Sequence, residues 1–372
     1  MRDSMRILGL ITHSGRGGAR DAMLKLQREM KGRGHAFEVI FLYAPSQDVF
    51  DESDRGVVLS VRKPSAVDYF RILPRLYKLI RKRPPDAIIT FLPLACVLGS
   101  LASWLAGVHC RIASHRTTNS GFSPTLRGLD LVAGTLGLYS AVIGNSKAVC
   151  DSFQAYPKMY TRRLRVVYNG LDFEPSCSTP TEARRRLGLP LDVTLIGSTG
   201  RLTSQKNYEL LIRALPELPG VYLAIAGEGP LREDLTDIAS KLEVRERVIF
   251  LGAIPRSDIP VFLRALDIFA LPSRFEGLSN SLLEALAAGL PTVVSDIPEQ
   301  LEALRLSREG GLAGLAVRTD ETDAWIAELR RLTENKALRM ELATWARVRA
   351  KDFSSINMSA GYLKVICKVM PS

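Results

Sequence analysis

The sequence predicts an α/β chain of two Rossmann-like domains facing each other across a cleft. Three observations carry this. Short apolar, β-branched runs alternate with helical patterns along the chain, and near-continuous apolar strands between helices indicate parallel sheets covered on both faces. The length, 372 residues, is too great for one ordinary core and suits two domains. The alternation breaks at Leu171–Thr181, where LDFEPSCSTPT is rich in Pro and Ser and lacks periodicity, as an interdomain linker does.

The first series opens with strand Ile7–Ile11, a Gly-rich turn and a helix over Gly18–Gly32. Further strands are expected at Phe37–Tyr43, Val57–Leu59, Ala87–Phe91, Arg111–Ala113, Ala141–Ile143 and Arg165–Tyr168. Ala87–Val108 carries no charged side chain and approaches a membrane span in length. Pro93 breaks it, so strand, turn and a buried helix over Leu94–Ala106 are expected instead. The second series places strands at Val193–Ser198, Tyr222–Ala226, Val248–Leu251, Ile268–Leu271, Thr292–Ser295 and Leu315–Val317. The expected division is a domain over residues 1–172, a linker over 173–190 and a domain over 191–353. A terminal helix over 354–372 is expected to pack back on the first domain.

Composition narrows the function class. Apolar residues make up 46% and charged residues 24%, ordinary for a folded soluble protein. The cysteines (Cys96, Cys110, Cys150, Cys177 and Cys367) lie far apart with no CxxC pair, so a reducing, cytoplasmic setting is expected. The short apolar run in MRDSMRILGLITHSG reads as a strand rather than a signal peptide. The net charge of +11 favours an anionic partner. Arg62–Arg83 holds eight cations against Asp68 alone. After Pro74, placed near a helix start, Arg75, Lys78 and Lys82 share one face, with Leu73, Leu76 and Ile80 opposite. Two readings stay open: a solvated helix face, or a docking surface for an anionic membrane, where each cation contributes on the order of 1 kcal/mol. Nucleic acid is not expected as a partner, since no aromatic platform or helix-turn-helix accompanies the cations.

The chemistry concentrates in Ala265–Gln300. Strand Ile268–Leu271 leads to Pro272-Ser273, a loop carries Glu276-Gly277-Leu278, and a helix begins near Ser279. Amides of Ser279, Asn280 and Ser281 at a helix N-terminus suit a phosphate. Glu284, one helix turn further on, can accept two ribose hydroxyls, so the two carboxylates can address one ligand from loop and helix.

This segment resembles the signature of family-4 retaining glycosyltransferases, the group 1 glycosyl transferases, whose fold is called GT-B. The resemblance implies that Glu276 contacts the donor sugar and Glu284 the nucleotide ribose. Gly200-Arg201-Leu202 with Lys206-Asn207 resembles the element whose Arg and Lys hold the donor diphosphate, and two cations there would stabilise charge growing on the leaving group. Gly227-Glu228-Gly229-Pro230-Leu231-Arg232 resembles the family's GxGPxR turn, and Val248–Gly252, with Leu251, resembles the strand beside the base. Val167–Asp172 resembles the VIxNGVD segment. Gly17-Gly18-Ala19 resembles the N-terminal glycine loop of the donor site, with Arg20 in place of the usual acid. His115 or Arg116, at the end of strand Arg111–Ala113, takes the place of a residue that contacts the donor sugar, and His13 is a further, weaker candidate.

The resemblance implies sugar transfer from a UDP-sugar, with a GDP-sugar left open, to a lipid-linked or surface-glycan acceptor with retention of configuration. The expected mechanism is front-side transfer in which the leaving β-phosphate accepts the acceptor's proton. No Asp-x-Asp stands at a strand end, so Arg201 and Lys206 are expected to take the place of a metal, and no cofactor is expected because the nucleotide sugar is a substrate. A sugar-nucleotide epimerase or hydrolase would need further acid/base carboxylates. A non-catalytic binding module would not need Glu276, Glu284, Arg201 and Lys206 intact.

Overall fold

The computed structural model describes residues 4–15, 18–44, 57–60, 66–306 and 311–370. The chain forms two compact units, Met1–Gly170 with Ser354–Ser372, and Leu171–Phe353.

In the first unit the strands are β1 (Arg6–His13), β2 (Ala36–Tyr43), β3 (Val57–Val58), β4 (Ala87–Phe91), β5 (Cys110–His115), β6 (Ala141–Gly144) and β7 (Leu164–Val166). They form a parallel sheet in the order β3-β2-β1-β4-β5-β6-β7. The helices are α1 (Gly18–Gly32), α2 (Ala66–Lys82), α3 (Pro93–Leu105), α4 (Pro124–Thr135), α5 (Lys147–Asp151) and α6 (Lys158–Thr161). Alternation along β1 sends side chains to both faces. Ile7 and Ile11 join the core formed with Met23 and Leu26 of α1, whereas Leu8 and Leu10 join the core formed with Leu76 and Ala95 of α2 and α3. The uncharged stretch Ala87–Val108 divides into β4 and α3, and among the described residues no helix is long and apolar enough to cross a membrane.

The second unit holds α7 (Pro180–Arg186), β8 (Thr194–Thr199), α8 (Tyr208–Ala214), β9 (Val221–Ala226), α9 (Arg232–Lys241), β10 (Val248–Gly252), α10 (Ile259–Ala265) and β11 (Ile268–Leu271). It continues with α11 (Asn280–Ala287), β12 (Thr292–Ser295), α12 (Pro298–Leu304), β13 (Leu315–Val317), α13 (Thr322–Glu334) and α14 (Lys336–Ala350). The sheet runs β10-β9-β8-β11-β12-β13. The terminal helix α15 (Ser355–Val369) belongs to the first unit, where Met358, Tyr362 and Ile366 enter the core beside α1.

Two local readings are corrected. Pro74 lies inside α2 rather than near its start. The face bearing Ile72, Leu76 and Ile80 is buried on both sides of it, and that burial carries the helix through the missing N–H. The segment 173–190 is not all linker, since α7 starts there with a capping box in which Thr179 and Glu182 bond reciprocally, a device that typically adds about 1 kcal/mol.

In each sheet the strand order reverses once, between β1 and β4 and between β8 and β11. Ligands of open parallel sheets bind outside the carboxyl ends of the strands at such a reversal. In the second unit this point joins the loop after Thr199 to the loop after Leu271.

Candidate functional site

The loop leaving β8 begins with Gly200 at φ +145°, and a Cβ there would lie 2.8 Å from Lys206 Cε. A Cβ on Gly227 would lie 1.9 Å from the Gly200 carbonyl oxygen, so the turns after β8 and β9 touch backbone to backbone. The Leu202 amide donates to the Glu228 carbonyl at 2.9 Å. These glycines therefore fix where Arg201 and Lys206 emerge. Arg201 is exposed, and its guanidinium makes no hydrogen bond or ion pair among the described residues.

The loop leaving β11 is stitched to the first. The Arg274 amide donates to the Gln205 carbonyl at 2.8 Å, Gln205 Nε2 donates to the Phe275 carbonyl at 2.9 Å, and the Arg274 guanidinium donates to Asn207 Oδ1 at 2.9 Å. Lys206 Nζ lies 2.6 Å from Glu276 Oε1, with side-chain exposures of 13% and 9%. Gly277, Leu278 and Ser279 then lead into α11, whose N-terminus has no side-chain capping bond from Ser279. The Ser279 hydroxyl pairs instead with the Ser281 hydroxyl at 2.9 Å. Asn280 opens the helix and Glu284 lies within it, buried, 3.1 Å from the half-exposed Arg256 guanidinium. Glu228 and Leu251 flank the β9–β10 edge, where the Glu228 carboxylate lies beside Gly252. Thus Arg201, Lys206, Glu276 and the start of α11 gather at the reversal between β8 and β11.

Two residues that sequence reasoning missed belong to this region. Arg256, in a short turn after Pro255, is the cationic partner of Glu284. Glu299 on α12 is buried, and burial pushes its carboxyl above the usual range, with the charges of Glu276 and Glu302 adding to the shift. Arg256 lies outside the quoted motifs, and Glu299, at the end of Ala265–Gln300, was given no role there; the folded sheet brings both near the site.

In the first unit Gly17 lies outside the described residues, and Gly18 is the exposed first residue of α1. The His13 ring packs against Tyr43 at 5.9 Å. His115 departs from the sequence expectation of a ligand-facing side chain, because its side chain is fully buried. Its ring stacks on Phe153 at 4.9 Å and meets the edge of Phe122 at 5.2 Å. Nε2 lies 3.2 Å from Asp130 Oδ1 and 2.9 Å from the Tyr160 hydroxyl, which donates to Asp130 Oδ2 at 2.7 Å. Burial alone would lower the His115 pKa, but the Asp130 charge and hydrogen bond outweigh it and raise it to about 10. Burial opposes ionisation of Asp130 too, and the imidazolium more than offsets it, holding that carboxyl below its usual range. His115 is therefore a buried structural cation in an aromatic cluster. Arg116 places its guanidinium 4.6 Å above the Phe91 ring and donates to Asn169 Oδ1. Burial lowers its pKa, and the Tyr362 hydroxyl counters this. Among the described residues no group of three His, Cys, Asp or Glu side chains could hold a metal ion.

The chain is similar to known proteins along most of its length. Residues 180–349 match the model of the glycosyl transferases group 1, and residues 17–170 match a glycosyl transferase 4-like domain. The chain is 29% identical over 315 residues to the Escherichia coli UDP-Gal:alpha-D-GlcNAc-diphosphoundecaprenol alpha-1,3-galactosyltransferase, covering 80% of this chain and 79% of that one. It is 30% identical to a Campylobacter jejuni diphospho-undecaprenol 4-alpha-N-acetylgalactosaminyltransferase over 60% of this chain and 58% of that one. The crystal structure of Anabaena HepE in complex with UDP and glucose aligns with a TM-score of 0.82 at 22% identity, covering 98% of this chain and 100% of that one.

Proposed function

The chain belongs to the group 1 glycosyl transferases and has their GT-B fold, and from this premise we propose that it moves a hexosyl group from a UDP-sugar to a lipid-linked or surface-glycan acceptor. The observation that carries the donor reading is the convergence of Arg201, Lys206, Glu276 and the start of α11 on one strand-order reversal. UDP is favoured because the E. coli relative is named for a UDP-sugar and HepE was crystallised with UDP. Both bacterial relatives are named for acceptors on a diphosphoundecaprenol carrier, which supports an acceptor of that class.

Arg201, Lys206 and the amides opening α11 hold the diphosphate and stabilise the charge that grows as the glycosidic bond breaks. Glu276 accepts hydrogen bonds from the sugar, and Glu284, oriented by Arg256, accepts the ribose hydroxyls. The acceptor oxygen bonds to the anomeric carbon on the face the diphosphate leaves, and its proton passes to the departing phosphate oxygen. Configuration is retained. No metal is needed, because Arg201 and Lys206 supply the positive charge.

The first unit docks on an anionic membrane. Arg71, Arg75, Lys78, Arg81 and Lys82 are exposed on α2, which packs beside α3, which in turn packs beside α4. Those neighbours expose Trp104 at 53% and Leu136 at 75%. Cations beside an exposed indole and aliphatic side chains match an interface of anionic head groups over acyl chains. The described part of the Arg62–Arg83 stretch begins at position 66.

Release of UDP from a UDP-sugar, measured with and without a diphospholipid-linked sugar, tests this function. Acceptor-dependent release supports transfer. Release at the same rate without acceptor would identify a hydrolase.

A further inference from the structure

A cavity lies in the same unit as the donor loops but at the other end of the sheet. It has a volume of about 300 Å³ and is lined by residues of α10, α14 and the segments entering β11 and β12. Leu266 and Asp267 precede β11, and Leu290 and Pro291 precede β12. The cavity therefore opens at the amino ends of these strands, whereas Glu276 follows the carboxyl end of β11.

Its charge is one-sided. Arg264, Lys336, Arg339 and Arg347 line it, the last three on one face of α14. Arg264 donates to the Ser178 carbonyl at 2.9 Å, and Arg339 donates to the Leu332 and Thr333 carbonyls. Those partners are neutral. The side chains of Lys336 and Arg347 make no hydrogen bond or ion pair among the described residues. Among the described lining residues the one carboxylate, Asp267, is already committed to Arg184 and to the Leu195 amide, each at 2.7 Å. Four cations thus surround the cavity without a carboxylate of their own, an arrangement that concentrates anions. The Arg347 guanidinium lies against the backbone of Gly289, where a Cβ would come within 2.2 Å of its Nη1. The floor between the cations is apolar, from Leu266, Leu290 and Pro291.

We propose that this cavity binds a soluble phosphorylated small molecule. Guanidinium groups match phosphate oxygens in forked geometry, and an ammonium adds a point charge. The apolar floor takes the uncharged part of the ligand, and the volume stands at the small end of ligand pockets. The site is distinct from the donor loops and does not depend on their assignment.

Pyrophosphate is the probe, titrated calorimetrically into the full chain saturated with UDP so that the donor loops are filled. One further binding event is expected. Lys336→Glu and Arg347→Gln should each weaken it at least about tenfold, the effect of losing one charge-assisted contact. Lys336 is exposed at the first turn of α14, where an acid suits the helix dipole, so this variant should fold. Arg201→Ala, titrated without UDP, should retain the event, which separates this site from any failure of the donor reading. Binding to phosphatidylglycerol vesicles should be equal in wild type and Lys336→Glu. Absence of the event in wild type, or its persistence unchanged in both cavity variants, overturns the proposal. Loss of vesicle binding in Lys336→Glu with no pyrophosphate event assigns the cations to lipid head groups and also overturns it.

Discussion

Lys206 Nζ and Glu276 Oε1 lie 2.6 Å apart, both largely buried, and join the loop after β8 to the loop after β11. The lysine is thereby held at the reversal of strand order, with its charge balanced by Glu276. In the proposed mechanism a donor diphosphate would compete with Glu276 for the same ammonium. Glu284 has a parallel relationship with Arg256 at 3.1 Å, so each carboxylate is oriented by its own cation.

The two carboxylates should therefore separate in kinetics. Glu276→Gln removes a competitor for Lys206, so free UDP should bind at least as tightly, while turnover falls because the contact to the sugar is weakened in the transition state. Glu284→Gln should weaken free UDP and UDP-sugar alike, by roughly 1.5–3 kcal/mol for charge-assisted hydrogen bonds. Calorimetry with UDP on both variants checks this. A Glu276 variant that loses UDP affinity beside a Glu284 variant that keeps it would reverse the two roles.

Activity should survive EDTA, because the proposed mechanism places Arg201 and Lys206 where other sugar transferases place a metal. Assaying transfer after chelation tests it. Loss restored by Mn²⁺ or Mg²⁺ would require a metal on the diphosphate.

The buried His115–Asp130 pair gives the first unit a pH dependence. An unfolded histidine titrates near 6.5, whereas burial, outweighed by Asp130, leaves folded His115 at about 10. The folded state thus holds the extra proton between these values. The contribution is complete below pH ~6.5 and is lost as pH rises through about 10. Urea midpoints followed by hydrogen exchange in β5 and α4 should fall over that range in wild type and be flatter in His115→Gln. Asp130→Asn, which strands the imidazolium, should cost about 3–5 kcal/mol at neutral pH. A wild-type midpoint unchanged from pH 6 to pH 10 would contradict this account.

Membrane docking should depend on both charge and apolar contact. Reversing Arg75, Lys78 and Lys82 to Glu should abolish binding to anionic vesicles at low salt, and rising salt should release the wild type. Trp104→Ser with Leu136→Ser should weaken binding even with the cations intact. Equal binding of the charge-reversed chain to anionic and neutral vesicles would leave only the apolar surface.

Legibility differed by the range of the signal. Strand Ile268–Leu271 and its following loop were readable because apolar runs and turn residues act locally, and the β11 element has those bounds. Pro74 was misread because proline usually marks a helix start, whereas burial of Ile72, Leu76 and Ile80 decides α2. His115 was misread because its partners come from α4 and α6, so nothing beside it in sequence announces a buried ion pair. Arg256 was missed for the same reason, since sheet order sets its place at the site; Glu299 stood within the signature segment, but nothing beside it in sequence announced its burial near Glu276.

In the proposed mechanism Arg201 and Lys206 hold the diphosphate of the donor. Steady-state transfer from UDP-sugar by Arg201→Ala and Lys206→Ala, with folding checked by circular dichroism, tests it most directly. Loss of one such stabiliser should lower kcat/KM by about 10²–10³-fold in each variant. Near-normal kcat/KM in both would contradict the assignment.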